Sequence, residues 1–186
     1  MYLAPWTSLP GLRPLNWMPY QGEQTIPEVA QSMVRTYGIQ DGDSLIGTSL
    51  GGMVALEITR IRKIRQLFLI ASAFEPSEIS RRLAFLHPLA RIFPWRRFQR
   101  GASRIPAKSP QMFAANDPMF VKTMCRAVFE WSGRKVADVQ IIRLHGRWDP
   151  VISRPSYADF WVHGGHRINE THAKTCVELV RRKLLS

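Results

Sequence analysis

Three polar side chains stand where apolar stretches of this chain end. Ser49 lies in Gly47-Thr48-Ser49-Leu50-Gly51-Gly52, Asp149 in His145-Gly146-Arg147-Trp148-Asp149-Pro150, and His166 in Gly164-Gly165-His166. A serine hydroxyl is a weak nucleophile at neutral pH and needs a base within hydrogen-bond reach. An imidazole supplies that base when a third group, usually a carboxylate, fixes its tautomer. The chemistry of such a set is attack on a carbonyl and acyl transfer to water. Gly-x-Ser-x-Gly adds a geometric requirement: the serine must sit on a strained strand-to-helix turn, where small neighbours are needed. Gly47 and Gly51 meet that need. A helix beginning after Ser49 would aim free N–H groups and its positive end at the same point, with the N–H of Leu50 as one oxyanion donor.

Each residue has competing readings. Asp149 before Pro150 also suits a plain turn, and His166 after two glycines also suits a surface loop. Glu75 is the rival acid, because it follows another apolar run. His163 is a weaker rival base, closer to its strand and without the preceding Gly-Gly. His145 is expected to pack at a strand end, and nothing singles out His87 or His172. No Gly-Lys-Ser/Thr follows the glycine-rich turn, which argues against a P-loop. Trp6, Trp17, Trp95, Trp131 and Trp148 read as packing residues.

The elements that must position these groups alternate. Thr25-Ile26-Pro27-Glu28 starts a helix, with Thr25 as cap, a carboxylate three residues on and a proline in the first turn. Ile26, Val29, Ala30, Met33, Val34 and Tyr37 recur at helical spacing, and Gly38 stops the helix. Ser44-Leu45-Ile46 leads as a strand into the Ser49 turn. Met53, Val54, Leu56, Ile58 and Ile61 then mark a helix. The apolar run from Gln66 to Ser72 is the next strand, and strand–helix–strand order argues for a parallel sheet covered on both faces. Residues 74–135 break the alternation and read as an inserted helical cap, closing with a helix over Met119 to Trp131. Strands follow over Val139 to His145 and Tyr157 to His163, then a helix over Asn169 to Leu185 with Val177, Val180 and Leu184 inward. Leu12 to Met18 offers one more strand, weakened by Pro14. In such sheets sites gather beyond the carboxyl ends of strands. Ser49, Asp149 and His166 all stand there, in the order Ser, Asp, His.

At 186 residues the chain is long enough for one domain with a sizeable core. Cys125 and Cys176 have no paired or metal-type spacing, which suits a reducing compartment. With no signal-peptide pattern at the start and no apolar run of membrane-spanning length, a cytoplasmic location is expected. The net charge of +12 is concentrated: Arg81, Arg82, Arg91, Arg96, Arg97, Arg100, Arg104 and Lys108 fall between Ile79 and Asn116, where no acidic residue occurs. This is a solvated face, a site for an anionic substrate, or a surface making weak contact with an anionic membrane. No nucleic-acid motif accompanies it.

Taken together, the three motifs resemble the α/β-hydrolase superfamily, in the manner of its small bacterial carboxylesterase-like members, over roughly residues 1–186. The resemblance implies a single domain with a doubly wound, mostly parallel sheet and a cap over 74–135. It implies Ser49 as nucleophile, His166 as general base and then acid, Asp149 as the orienting carboxylate and no cofactor. The substrate would be a small ester, thioester or amide. Cap residues such as Phe85, Phe93, Trp95 and Phe98 are candidates for the pocket wall. One departure stands out. The family's strand beside the elbow strand, and the Gly-rich loop that carries the second oxyanion donor, would fall before Met1. The elbow strand should therefore lack a neighbour on one side, costly for its backbone groups. A start placed too late in the reading frame is the preferred account. The others are N-terminal residues folded back into the gap, or a shortened relative that no longer catalyses. The alternative to an enzyme is a binding protein of this fold that uses its basic cap.

Overall fold

The computed structural model describes residues 4–80, 117–133, 139–153 and 155–185. Helix α1 spans Ile26–Tyr37. Thr25 caps it, its Oγ1 accepting from Glu28 N at 3.3 Å, and the Glu28 carboxylate reaches back to Gln24 N. Gly38, in the left-handed region at φ 60°, ends it. The next elements are β1 (Ser44–Thr48), α2 (Leu50–Ile58), β2 (Gln66–Ile70), α3 (Pro118–Glu130), β3 (Gln140–Gly146), β4 (Phe160–Val162), α4 (Ile168–Thr171) and α5 (Ala173–Leu184).

The four strands form one parallel sheet in the order β1-β2-β3-β4. Register is continuous, with Ile46 beside Phe68, Phe68 beside Ile142 and His145 beside Trp161. Pleating divides β2 between two cores. Leu67 and Leu69 join the layer of α1, α2 and α3, with Val29, Met33, Leu56, Phe120 and Trp131. Phe68 and Ile70 join the opposite layer, with Trp6, Ile142, Leu144, Ile168, Val177 and Val180. Leu184 packs partly buried against this second core. Helices cover both faces, as the strand–helix order predicts.

Two expectations fail. Leu12 to Met18 forms no strand. Pro14 has no N–H for a ladder, and the segment is held from outside, by Arg13 on the Tyr37 carbonyl and by Tyr37 Oη on the Asn16 carbonyl. The final helix is split at His172, whose φ of −125° and ψ of 34° leave the helical region. Thr171 Oγ1 donates to the Arg167 carbonyl at 3.0 Å, the back-bond that weakens a helix at this point.

Within the expected cap, residues 74–80 and 117–133 are described. Helix α3 is capped by Asp117 and packs Phe120 against Trp17 and Tyr20. The Trp131 indole donates to the buried carboxylate of Glu57 on α2 at 2.9 Å, tying the end of this stretch to the helix that follows Ser49. The basic run and Phe85, Phe93, Trp95 and Phe98 lie outside the described residues. Among the described residues β1 pairs with β2 alone and so is an edge strand, as anticipated. No helix among them is long and apolar enough to cross a membrane.

Candidate active site

Ser49 is the residue between β1 and α2, and its backbone is strained: φ 51° and ψ −124°. A non-glycine residue held there costs about 1–3 kcal/mol and persists only when its surroundings enforce it. They do. Ser49 N donates to the Ile70 carbonyl at 3.1 Å, and the Ser72 hydroxyl donates to the Ser49 carbonyl at 2.8 Å. The turn also requires bare backbone. A Cβ on Gly47 would lie 2.5 Å from Gly52 Cα, and one on Gly52 would lie 2.5 Å from Ser72 Cβ. Gly51 has nothing among the described residues within 4 Å of its would-be Cβ. The second glycine that sterics demand is therefore Gly52, which faces Ser72, and not Gly51, which meets no described residue.

Asp149 and His166 come from the other side of the sheet. Past β3 the chain turns, with Trp148 N donating to the Gly164 carbonyl at 3.1 Å. A Cβ on Gly146 would lie 2.6 Å from the Gly164 carbonyl oxygen, so only glycine lets the His166 loop lie across the end of β3. Asp149 Oδ1 accepts from Val151 N at 2.9 Å and Ile152 N at 3.0 Å. Residue 149 is thus a turn former as well as a partner of His166. Those two roles are not alternatives.

The three side chains form a continuous line. His166 Nδ1 lies 2.9 Å from Asp149 Oδ2, and His166 Nε2 lies 2.9 Å from Ser49 Oγ. An ionised carboxylate only accepts, so Nδ1 carries the proton. Nε2 is then bare and accepts from the Ser49 hydroxyl. The Asp149 side chain is fully buried and that of His166 is 20% exposed. Burial pushes the Asp149 carboxyl up, but its hydrogen bond to His166, the electrostatic pull of that residue and the Ile152 and Val151 N–H groups outweigh burial. The carboxyl ends below its ordinary value, ionised at neutral pH.

Leu50 is the first residue of α2, so its N–H is one of the unpaired donors of a helix start. It has no acceptor among the described residues. Glu75 does not reach this line: it is exposed and accepts from Ser77 Oγ. His163 is exposed too, edge-on to Trp148. Trp148 is 67% exposed and so is not a packing residue, whereas Trp6 and Trp131 are buried.

A second carboxylate, unremarked in sequence, organises the region. Glu78 holds Arg143 of β3 through two contacts, Nη1–Oε1 at 2.9 Å and Nη2–Oε2 at 2.7 Å. Arg143 also donates to the Ser72 carbonyl, and Glu78 Oε2 accepts from Phe74 N. An antiparallel bridge from Ile79 to Ile152, with Ser80 N on the Val151 carbonyl, joins this loop to the Asp149 turn. The available signal was an arginine within the apolar strand Val-Gln-Ile-Ile-Arg-Leu-His, which demands a buried partner. No group of three His, Cys, Asp or Glu among the described residues could hold a metal ion.

No protein-family model matches the chain, and no curated protein is significantly similar to it. Solved structures are. An enol-lactonase from Burkholderia xenovorans LB400 is 15% identical, with a TM-score of 0.66 over 87% of this chain and 74% of that one. A thermophilic esterase from Thermogutta terrifontis is 17% identical, with a TM-score of 0.61 over 90% and 74%. The N-acyl homoserine lactonase AidH is 19% identical, with a TM-score of 0.58 over 85% and 69%. At these identities the likeness speaks for architecture, and with the parallel sheet, flanking helices and strained strand-to-helix turn it establishes that this chain has the α/β-hydrolase fold.

Proposed function

We propose that this chain is a serine hydrolase of carboxylesterase type, acting on a small ester, thioester or amide through an acyl-enzyme on Ser49. The observation that carries the reading is the unbroken line from Ser49 Oγ through the His166 ring to Asp149, with both links at 2.9 Å. Ser49 Oγ attacks the substrate carbonyl carbon while its proton passes to His166 Nε2. Asp149 stabilises the imidazolium without taking the proton. Leu50 N–H donates to the oxyanion. The leaving group departs with the proton from Nε2, and water, deprotonated by the same nitrogen, releases the acyl group. The solved structures of similar fold include lactonases and esterases, which favours esters and lactones over amides as first substrates to try.

Turnover of short p-nitrophenyl esters tests this. Ser49→Ala and Asp149→Asn should each lose about 10⁴-fold or more in kcat, the second because the imidazole no longer keeps the right tautomer. Equal rates in wild type and Ser49→Ala would contradict it. A second reading, a binding protein of the same fold, is favoured by the basic run between Ile79 and Asn116. It predicts retention on anionic vesicles and no Ser49-dependent turnover.

A further inference from the structure

His145 is the last side chain of β3 before Gly146, and the reaction above does not use it. It is 1% exposed, and its ring packs edge-on to Trp161 at 5.8 Å between centroids. Its Nε2 is buried without a hydrogen-bond partner among the described residues. That atom lies 3.7 Å from Asp149 Oδ2, the oxygen that accepts from His166. A buried polar atom with no partner is costly and calls for a reason. We propose that His145 is a positioning residue: its Nε2–H donates to Asp149 Oδ2, so that the carboxylate is held between two imidazoles.

Three arguments carry this. Burial and, less strongly, the positive charge of Arg143 keep the ring neutral, against the opposing pull of Asp149, the Ile152 carbonyl and Glu78. A neutral ring carries one proton, for which the Ile152 carbonyl and the Asp149 carboxylate compete. The ionised carboxylate is the stronger acceptor, and a bare nitrogen facing it would be repelled. Asp149 Oδ1 is already occupied by Val151 N and Ile152 N and lies 3.1 Å from His166 Nδ1, while Oδ2 has His166 as its one hydrogen-bond partner among the described residues. The 3.7 Å separation is a loose contact of the kind that tightens when a reacting complex forms. A shift of under about 1 Å brings it into hydrogen-bond range. Without this donor Asp149 could pivot about the bonds on Oδ1, and His166 would turn with it.

The inference rests on the hydrolase reading, and its test separates the two. Nitrogen-15 spectra of the wild-type protein should show His145 as the Nε2–H tautomer. The Nδ1–H tautomer, with bare Nε2 toward Asp149, would overturn the inference even in a protein that hydrolyses esters. His145→Phe keeps the ring contact with Trp161 and should lower kcat about ten- to a hundred-fold with KM unchanged. His145→Gln, whose amide N–H₂ stands near the position of Nε2, should restore most of the loss. Equal losses in the two variants would mark His145 as packing alone. Failure of Ser49 to react, with the Nε2–H tautomer present, would sink the hydrolase reading and leave the contact standing.

Discussion

β1 and β2 are adjacent, parallel and equally long, yet they are built differently. All five residues of β2 are buried, whereas only Gly47 of β1 is. β2 has a strand on each side, while β1 has one neighbour among the described residues. The candidate site spans this divide. Ser49 leaves the half-covered strand, and Asp149 and His166 hang from loops beyond β3 and β4. On the covered side Asp149 is tied to His166, Val151 N and Ile152 N, and Glu78 is tied to Arg143. On the β1 side the N–H of Leu50, at the start of α2, has no acceptor among the described residues. The difference matches the work each side would do. An acid–base pair must be held in one orientation, and a nucleophile must be reachable.

The largest expected effect falls on the tied side. Glu78→Gln leaves Arg143 buried without its counter-charge, and urea unfolding should show a loss of about 3–5 kcal/mol. A loss under about 1 kcal/mol would mean that the pair is not what fastens the loop after β2 to the Asp149 turn. The seam between the two sides comes next. Gly52→Ala drives a methyl group into Ser72 and should cost about 1–3 kcal/mol. Gly51→Ala, where the added carbon meets nothing described, should leave stability unchanged or slightly raised. Reversed outcomes would place the close contact at the wrong glycine.

The smallest effect is on acid stability. The folded-state pKa of His145 is depressed, chiefly by burial. Its contribution is therefore complete above the ordinary histidine value of about 6.5 and is lost as pH falls toward the folded value. Asp149, also depressed, acts in the same direction but in a lower window, below the ordinary carboxylate range. A Tm series from pH 7.5 downward should fall more gently in His145→Phe than in wild type. Parallel curves would mean that His145 does not titrate with unfolding.

That Ser49, Asp149 and His166 would come together was legible in the sequence because they stand at strand ends, and strands announce themselves by apolar runs. Gln66 to Ile70 and Gln140 to Gly146 are such runs, and the groups that follow them had few alternative places to be. Residues whose meaning depends on what crosses over them were not legible. Gly51 and Gly52 are indistinguishable in sequence, and the approach of Ser72 decides which must be bare. Glu75 and Glu78 sit three residues apart, and only packing turns one to solvent and the other to Arg143. Leu12 to Met18 had an apolar content fit for a strand, but Pro14 has no N–H to give a ladder and the segment is tied to Tyr37 instead.

The central claim is that the Ser49 hydroxyl is a nucleophile made reactive by His166. Treating the folded protein with a fluorophosphonate and mapping the adduct by mass spectrometry tests it most directly. The account predicts one adduct, on the peptide bearing Ser49, absent in Ser49→Ala and strongly diminished in His166→Ala. A folded protein that stays unlabelled, or that labels equally well without His166, would contradict it.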